Sequence, residues 1–218
     1  MIKLYSYWRS TAAYRVRIAL NLKQVSYSLV PVNLIKDGGE HKKPEYLQKN
    51  PQGLVPLLDD DGKLIGQSMA IMEYLEEKYS QVPLLPEDLR LRALARQLCQ
   101  VIVSDLHPLN NLRVLGYLTE NLKVSEEEKM KWYFHWMEKG FKAFDELLKN
   151  VQIEGDYCLG EELSLADACL IPQIYNANRF GFSMNKFPRL MTINDNCLKL
   201  ERFQNAVPEN QPDAVQNI

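Results

Sequence analysis

Residues 4–20 read LYSYWRSTAAYRVRIAL, a stretch that packs a short strand, a hydroxyl-bearing turn and the start of an arginine-rich helix into one run. Ile2, Leu4, Tyr5 and Tyr7 suit a buried or half-buried strand, while Val16, Ile18, Ala19, Leu20 and Leu22 give a helix with a broad apolar face. Ser10 and Thr11 stand where that helix begins. A hydroxyl there satisfies backbone amides of the first turn, and the helix dipole favours negative charge by roughly 0.3–1 kcal/mol. Arg9 and Arg15 flank the spot, which therefore reads as a place to hold an anion. The same residues also suit an ordinary helix start with solvated arginines.

Working outward, a second apolar segment from Ser26 to Val32 follows the helix expected over about Thr11 to Asn21. That makes a βαβ unit and predicts a parallel, right-handed crossover. Val55 to Leu58 and Lys63 to Gly66 surround Asp59-Asp60-Asp61-Gly62, whose Asp-Gly ending predicts an antiparallel hairpin. Ser68 is the expected N-cap of a further helix with Ile71, Met72, Leu75 and Tyr79 on one face. The order is βαβ, a loop, then ββα over residues 1–81. Val82-Pro83-Leu84-Leu85-Pro86 breaks any helix, so residues 82–87 are expected to be a linker. From 88 to 218 the pattern is helical throughout. Helices are expected over about Leu89 to Leu115, bent or interrupted by Pro108, and over Ser125 to Leu148, Ser164 to Asn178 and Met191 to Phe203. Ser125-Glu126-Glu127-Glu128 and Ser164-Leu165-Ala166-Asp167 are similar to capping boxes, which assigns Asp167 to folding. The polar tail after Val207 is expected to be loosely held.

Balanced charge, with 26 basic and 28 acidic residues and a net of −2, gives no general footprint for nucleic acid or an anionic membrane. No apolar run approaches about 18 residues and the N-terminus lacks secretory-signal organisation, so a cytoplasmic protein is expected. Cys99, Cys158, Cys169 and Cys197 form no CxxC pair and show no metal-ligand spacing with His41, His107 and His135. Buried reduced thiols and no metal are expected. No thiol precedes Cys99, so a thioredoxin-like unit at the N-terminus would have to take any thiol from outside.

In Gln52-Gly53-Leu54-Val55-Pro56, the X-Pro bond is one for which the cis form is accessible. A cis bond there would let the Val55 amide and carbonyl pair with an extended peptide ligand by strand addition, although Pro56 also fits a plain edge-strand proline. Gln67-Ser68 opens a helix whose exposed amides make a natural carboxylate receptor.

Two anion-holding helix starts and a peptide-pairing edge in a cysteine-free βαβ–ββα unit, followed by helices alone, resemble the glutathione transferase family over essentially the whole chain. The resemblance reaches the zeta class. STAAYRVRIAL at 10–20 is similar to that class's SSCxWRVRIAL motif, and NLIKDGG at 33–39, HPLNNL at 107–112, NANRF at 176–180 and QPD at 211–213 fit the class as well. Ala12 stands in place of the motif's cysteine and Thr11 in place of its second serine, so any role of that cysteine is absent. The resemblance implies an α/β, thioredoxin-like N-terminal domain, an all-α C-terminal domain at 88–218, and a homodimer.

It also implies that glutathione is the cofactor, with its γ-glutamyl carboxylate at Gln67 and Ser68, its cysteinyl backbone on Val55 ahead of Pro56, and its sulfur near Ser10. Thr11 and Arg15 join Ser10 in the catalytic set, and His41, His107 and Asn111 match further glutathione-contacting positions. A free thiol has a pKa of roughly 8.5, and lowering it by about two units takes roughly 2.7 kcal/mol. The Ser10 hydroxyl, the helix start and Arg15 are the means to that. Arg9, Arg113 and Arg179 are the candidates for a small unsaturated diacid substrate, arginine being suited to bidentate carboxylate binding. Arg179 matches the family's substrate-binding arginine, whereas Arg113 also suits a solvated helix position. The activity implied is glutathione-dependent cis–trans isomerisation of maleylacetoacetate or maleylpyruvate in aromatic amino acid and aromatic acid breakdown. A transferase acting on α-haloacids and a non-catalytic binding module are the alternatives.

Overall fold

Alternating apolar residues at the start of the chain produce β1 (Ile2–Ser6), and α1 (Thr11–Leu22), β2 (Tyr27–Pro31), a short α2 (Pro44–Leu47), β3 (Leu57–Asp60), β4 (Lys63–Gly66) and α3 (Ser68–Lys78) follow. The structure is a computed structural model describing residues 1–214; residues 215–218, the end of the tail expected to be loosely held, lie outside the described residues. The sheet runs β2-β1-β3-β4. β1 pairs parallel to β2, with Leu4 opposite Leu29, and antiparallel to β3, with Leu4 opposite Leu58; β3 pairs antiparallel to β4. The turn between β3 and β4 is Asp61-Gly62, both at positive φ, 50° and 87°. That combination matches the twist of the flanking strands and suits the Asp-Gly pair read from sequence. This pairing gathers the C-terminal ends of β1, β2 and β4 and the N-terminal end of β3 at one end of the sheet.

Burial around α1 is more extensive than the apolar stripe read from sequence. Arg15 and Arg17 are both 0% exposed, among Tyr14, Val16, Ile18, Ala19 and Leu20. Tyr7, Val32, Tyr46, Val55 and Leu57 form a core cluster with Tyr5 and Trp8 packed against it. At the C-terminal end of α1, the buried Lys23 ammonium pairs with Glu76 at 2.5 Å and donates to the carbonyls of Tyr79 and Val82.

Residues Leu85–Cys197 form a second compact unit. It holds α4 (Leu89–Gln100), α5 (Leu112–Glu120), α6 (Glu126–Val151), α7 (Leu165–Arg179) and most of α8 (Pro188–Leu198). Asp88 caps α4 by accepting from the amides of Arg90 and Leu91. The helix then widens into a π turn over Val101–Leu106, closed by His107 N donating to Ile102 O at 2.8 Å, and stops at Pro108. Proline has no amide to continue the ladder and its ring crowds the preceding turn, so widening before it is the accommodation the backbone finds. Tyr133, Met137, Phe141, Phe144 and Leu148 make a fully buried stripe along α6, each such burial contributing about 1.5–3 kcal/mol. Both capping boxes form. Asp167 accepts from the amides of Cys158 and Ser164, each at 2.8 Å, and from the Ser164 hydroxyl at 2.9 Å, the folding role expected of it. The four cysteines are buried and unbridged.

The helix expected over Met191 to Phe203 is interrupted, giving α8 and a short α9 (Glu201–Gln204). From Leu198 on the chain groups with the first unit, whereas the sequence reading placed it in the helical domain. The tail after Val207 is firmly held as far as it is described: Pro208, Gln211, Asp213 and Ala214 are all buried. The segment from Ala206 to Asp213 is anchored by polar groups far away in sequence. Arg17 Nε donates to Ala206 O at 3.0 Å, and Trp8 N donates to Asp213 Oδ2 at 2.9 Å.

Candidate functional site

Ser10 closes a turn after β1, its amide donating to Tyr7 O at 2.9 Å. It is the N-cap of α1, with Oγ accepting from Ala13 N at 3.2 Å. An oxygen so engaged keeps its own hydrogen to donate outward, and Ser10 is half-exposed. Thr11 is only 5% exposed, so of the two hydroxyls that of Ser10 is the accessible one. The first turn of α1 contains no acidic residue to offset the dipole. Arg9 stacks 4.5 Å over the Trp8 ring, with its guanidinium 3.5 Å from the Tyr7 hydroxyl.

The N-cap of α3 is Gln67, one residue before the expected Ser68. Gln67 sits at φ 69°, ψ 120°, a conformation that costs a residue with a side chain about 1–3 kcal/mol. Its side chain donates to Gln52 Oε1 at 2.7 Å. No side chain caps α3 and no acidic residue lies in its first turn, which leaves the helix start receptive to an anion. Ser68 is buried and its Oγ accepts from the Arg15 guanidinium at 3.3 Å. Arg15 therefore bridges α1 to the start of α3, and its reach is towards Ser68.

The Val55–Pro56 bond is cis. Tyr46 Oη and Asn50 Nδ2 both donate to the preceding Leu54 carbonyl, at 2.6 and 2.7 Å. Burial pushes the Tyr46 phenol up to about 12, so it remains a donor across the neutral range. Among the described residues the Val55 amide and carbonyl have no hydrogen-bond partner. Pairing of Leu57 with Gly66 sets this segment beside Gln67. His41 packs its ring against Gly39, where an added Cβ would come within 2.3 Å of the imidazole. Burial, with Lys42 beside it, holds His41 below the usual histidine range, and its buried Nδ1 has no partner. A helix start capped by a half-exposed hydroxyl, a second with no side-chain cap, one unpaired peptide group and an orphaned imidazole nitrogen, all at one end of the sheet, fit an extended, negatively charged peptide ligand.

In the second unit, Tyr133 links the segment ahead of α5 to the end of α7. Asn111 caps α5 through Oδ1, accepting from Arg113 N at 3.1 Å, and Arg113 is exposed. The buried Asn110 donates to Tyr133 O at 3.1 Å, and Trp132 Nε1 donates to Leu109 O, so the segment from His107 to Arg113 is tied to α6. The Tyr133 hydroxyl donates to Asn176 Oδ1. Arg179, exposed at the end of α7, stacks 4.5 Å over Phe180, whose ring lies 4.5 Å from that of Tyr133. Burial pushes the Tyr133 phenol up, opposed by the Arg179 charge. Arg17, Asn110, Tyr133 and Asp213 were not singled out from sequence. Asn110 and Asp213 lie inside the HPLNNL and QPD segments, while Tyr133 reads only as one apolar position in the stripe of α6.

A family model described as the glutathione S-transferase N-terminal domain matches residues 4–83. A probable maleylacetoacetate isomerase of Vibrio cholerae is 48% identical over 211 residues, covering 97% of each chain. A holo maleylpyruvate isomerase, described as a bacterial zeta-class glutathione S-transferase, superposes with a TM-score of 0.94 at 40% identity over 97% of this chain and 99% of its own. The maleylacetoacetate isomerase of Methylobacterium extorquens AM1, solved with bound malonate and GSH, gives 0.92 at 42% identity over 97% and 99%.

Proposed function

We propose a function from one premise: the chain belongs to the glutathione S-transferase family, in its zeta class. It is a glutathione-dependent cis–trans isomerase of maleylacetoacetate or maleylpyruvate. Bound glutathione supplies a thiol whose sulfur anion adds reversibly to the cis double bond of the diacid, letting that link rotate before the sulfur departs. The protein's part is to hold, orient and stabilise. Ser10 donates its hydrogen towards the sulfur position, and the first-turn amides of α1 add the field of the helix start. A charged hydrogen bond contributes about 1.5–3 kcal/mol, the scale on which a thiol pKa falls by one or two units. Gln67, Ser68 and the α3 start hold the γ-glutamyl carboxylate, with Arg15 supporting Ser68. Val55, presented ahead of Pro56, pairs with the cysteinyl peptide, and His41, His107 and Asn111 complete the cofactor contacts. Arg9, Arg113 and Arg179 hold substrate carboxylates and stabilise charge that builds on the adjoining carbonyl.

The gathering of the Ser10, His41, Val55 and Gln67 segments at one end of the four-stranded sheet carries this reading. It extends to a cytoplasmic homodimer working in aromatic amino acid breakdown; among the described residues no helix is long and apolar enough to cross a membrane. The test is incubation with maleylpyruvate and, separately, maleylacetoacetate, with and without catalytic glutathione. Turnover that needs glutathione without consuming it is expected. Failure with both diacids, alongside halide release from an α-haloacid with glutathione consumed, would replace the isomerase by a transferase.

A further inference from the structure

We infer that the C-terminal segment belongs to the catalytic apparatus: Asp213 and Arg17 are positioning residues that fix the Ser10 hydroxyl by gripping the backbone amide and carbonyl of Trp8. Trp8 is the first central residue of the turn that Ser10 closes, the Ser10 amide donating to Tyr7 O. The Trp8 amide donates to Asp213 Oδ2 at 2.9 Å, and the Trp8 carbonyl accepts from the Arg17 guanidinium at 3.0 Å. The same guanidinium, 0% exposed, donates to Ser6 Oγ at 3.2 Å and to Ala206 O at 3.0 Å. One side chain thus ties the end of β1, the turn and the C-terminal segment to α1. Asp213 is held in turn: Gln211 Nε2 donates to the carbonyls of Asn205 and Val207 at 3.0 and 2.8 Å, and Ala214 N donates to Gln211 O at 2.9 Å.

Neither residue needs to touch glutathione or substrate. A turn clamped through its corner peptide holds the following hydroxyl in one place, and misplacement of a reacting partner by about 1 Å costs up to about 100-fold in rate. This inference rests on the isomerase reading for its kinetic consequence, but its structural content can be measured on the glutathione-free protein.

Asp213→Ala and Asp213→Asn separate the possibilities, because asparagine keeps an acceptor oxygen at the same reach. In Asp213→Ala, amide exchange at Ser10 should accelerate without glutathione present. With glutathione bound, the thiol should titrate at higher pH, and kcat should fall about tenfold while KM for glutathione moves less than about twofold. Asp213→Asn should restore all three. If Asp213→Ala fails to fold, Asp213→Glu takes its place: it keeps the charge but misplaces the oxygen, and should be impaired where asparagine is not. Unchanged Ser10 exchange, thiol titration and kcat, with only a lower melting temperature, would overturn the inference and leave Asp213 a packing residue. A wild type that isomerises neither diacid would instead sink the isomerase reading, with Ser10 exchange still deciding whether Asp213 positions the turn.

Discussion

Ser10's oxygen already accepts the Ala13 amide, so what it can offer a sulfur anion is its hydrogen, and the cap fixes the direction in which that hydrogen is offered. Replacing it by alanine removes the donor and weakens the helix start together. We expect Ser10→Ala to lower kcat roughly 10- to 100-fold and to raise the pKa of the bound thiol, as read from the pH–rate profile and the thiolate absorbance. Thr11, being buried, does not take over. Gln67 is a residue of another kind, held at a positive φ of 69° where glycine, lacking a Cβ, would be less strained. Gln67→Gly should raise the urea midpoint by about 1 kcal/mol of stability while weakening glutathione binding, with calorimetry and unfolding measured on the same protein. Ser10 was legible in the sequence because N-cap preference is a local rule. Gln67, named with Ser68 as a carboxylate contact, was not legible as the cap of α3, since the same rule favours the neighbouring serine and nothing local announces that the chain will enter the helix through a strained glutamine.

The elements show where such local rules stop. The Asp-Gly hairpin and the two capping boxes form as read, each determined by residues within a few positions of one another. The π turn before Pro108 was invisible as such: a proline signals that a helix must change, while the manner of change depends on what packs against it. Here that neighbour is Gly140 on α6, where a Cβ would lie 2.1 Å from Leu106 Cδ1 and 3.0 Å from Leu106 Cβ. The whole Leu106 side chain would have to move. Gly140→Ala is therefore expected to cost about 1–3 kcal/mol, and Gly140→Ala with Leu106→Ala less than the sum of the two single changes in a double-mutant cycle of unfolding midpoints.

At the scale of the whole molecule, the connection among Arg17, Trp8, Ala206 and Asp213 lay beyond sequence reading because its partners stand up to 205 residues apart and no periodicity joins them, although Arg17 and Asp213 each fall inside a segment matched to the family. Acid sensitivity also belongs at this scale. Hydrogen bonds from Lys78 and Tyr74 hold the Asp60 carboxyl below the usual carboxylate range. A carboxyl depressed in the folded state stabilises it above the unfolded value of roughly 3.9 and loses that contribution as pH falls through the folded value. Urea midpoints should therefore decline more steeply below about pH 4 in the wild type than in Asp60→Asn. If the two slopes coincide, this carboxyl does not control the acid limb.

The unit that carries Ser10 is discontinuous in the chain, beginning at Met1 and resuming at Leu198, whereas the second unit is one uninterrupted stretch. Synthesis on the ribosome runs in one direction, so all of Leu85–Cys197 emerges after Arg17 but before Asp213, the residue that completes the clamp on Trp8. The usual order, in which the N-terminal part completes itself first, is reversed for the final closure. The end of the sheet proposed to hold glutathione is begun earliest and finished last, because the turn that carries Ser10 takes its last backbone partner from Asp213.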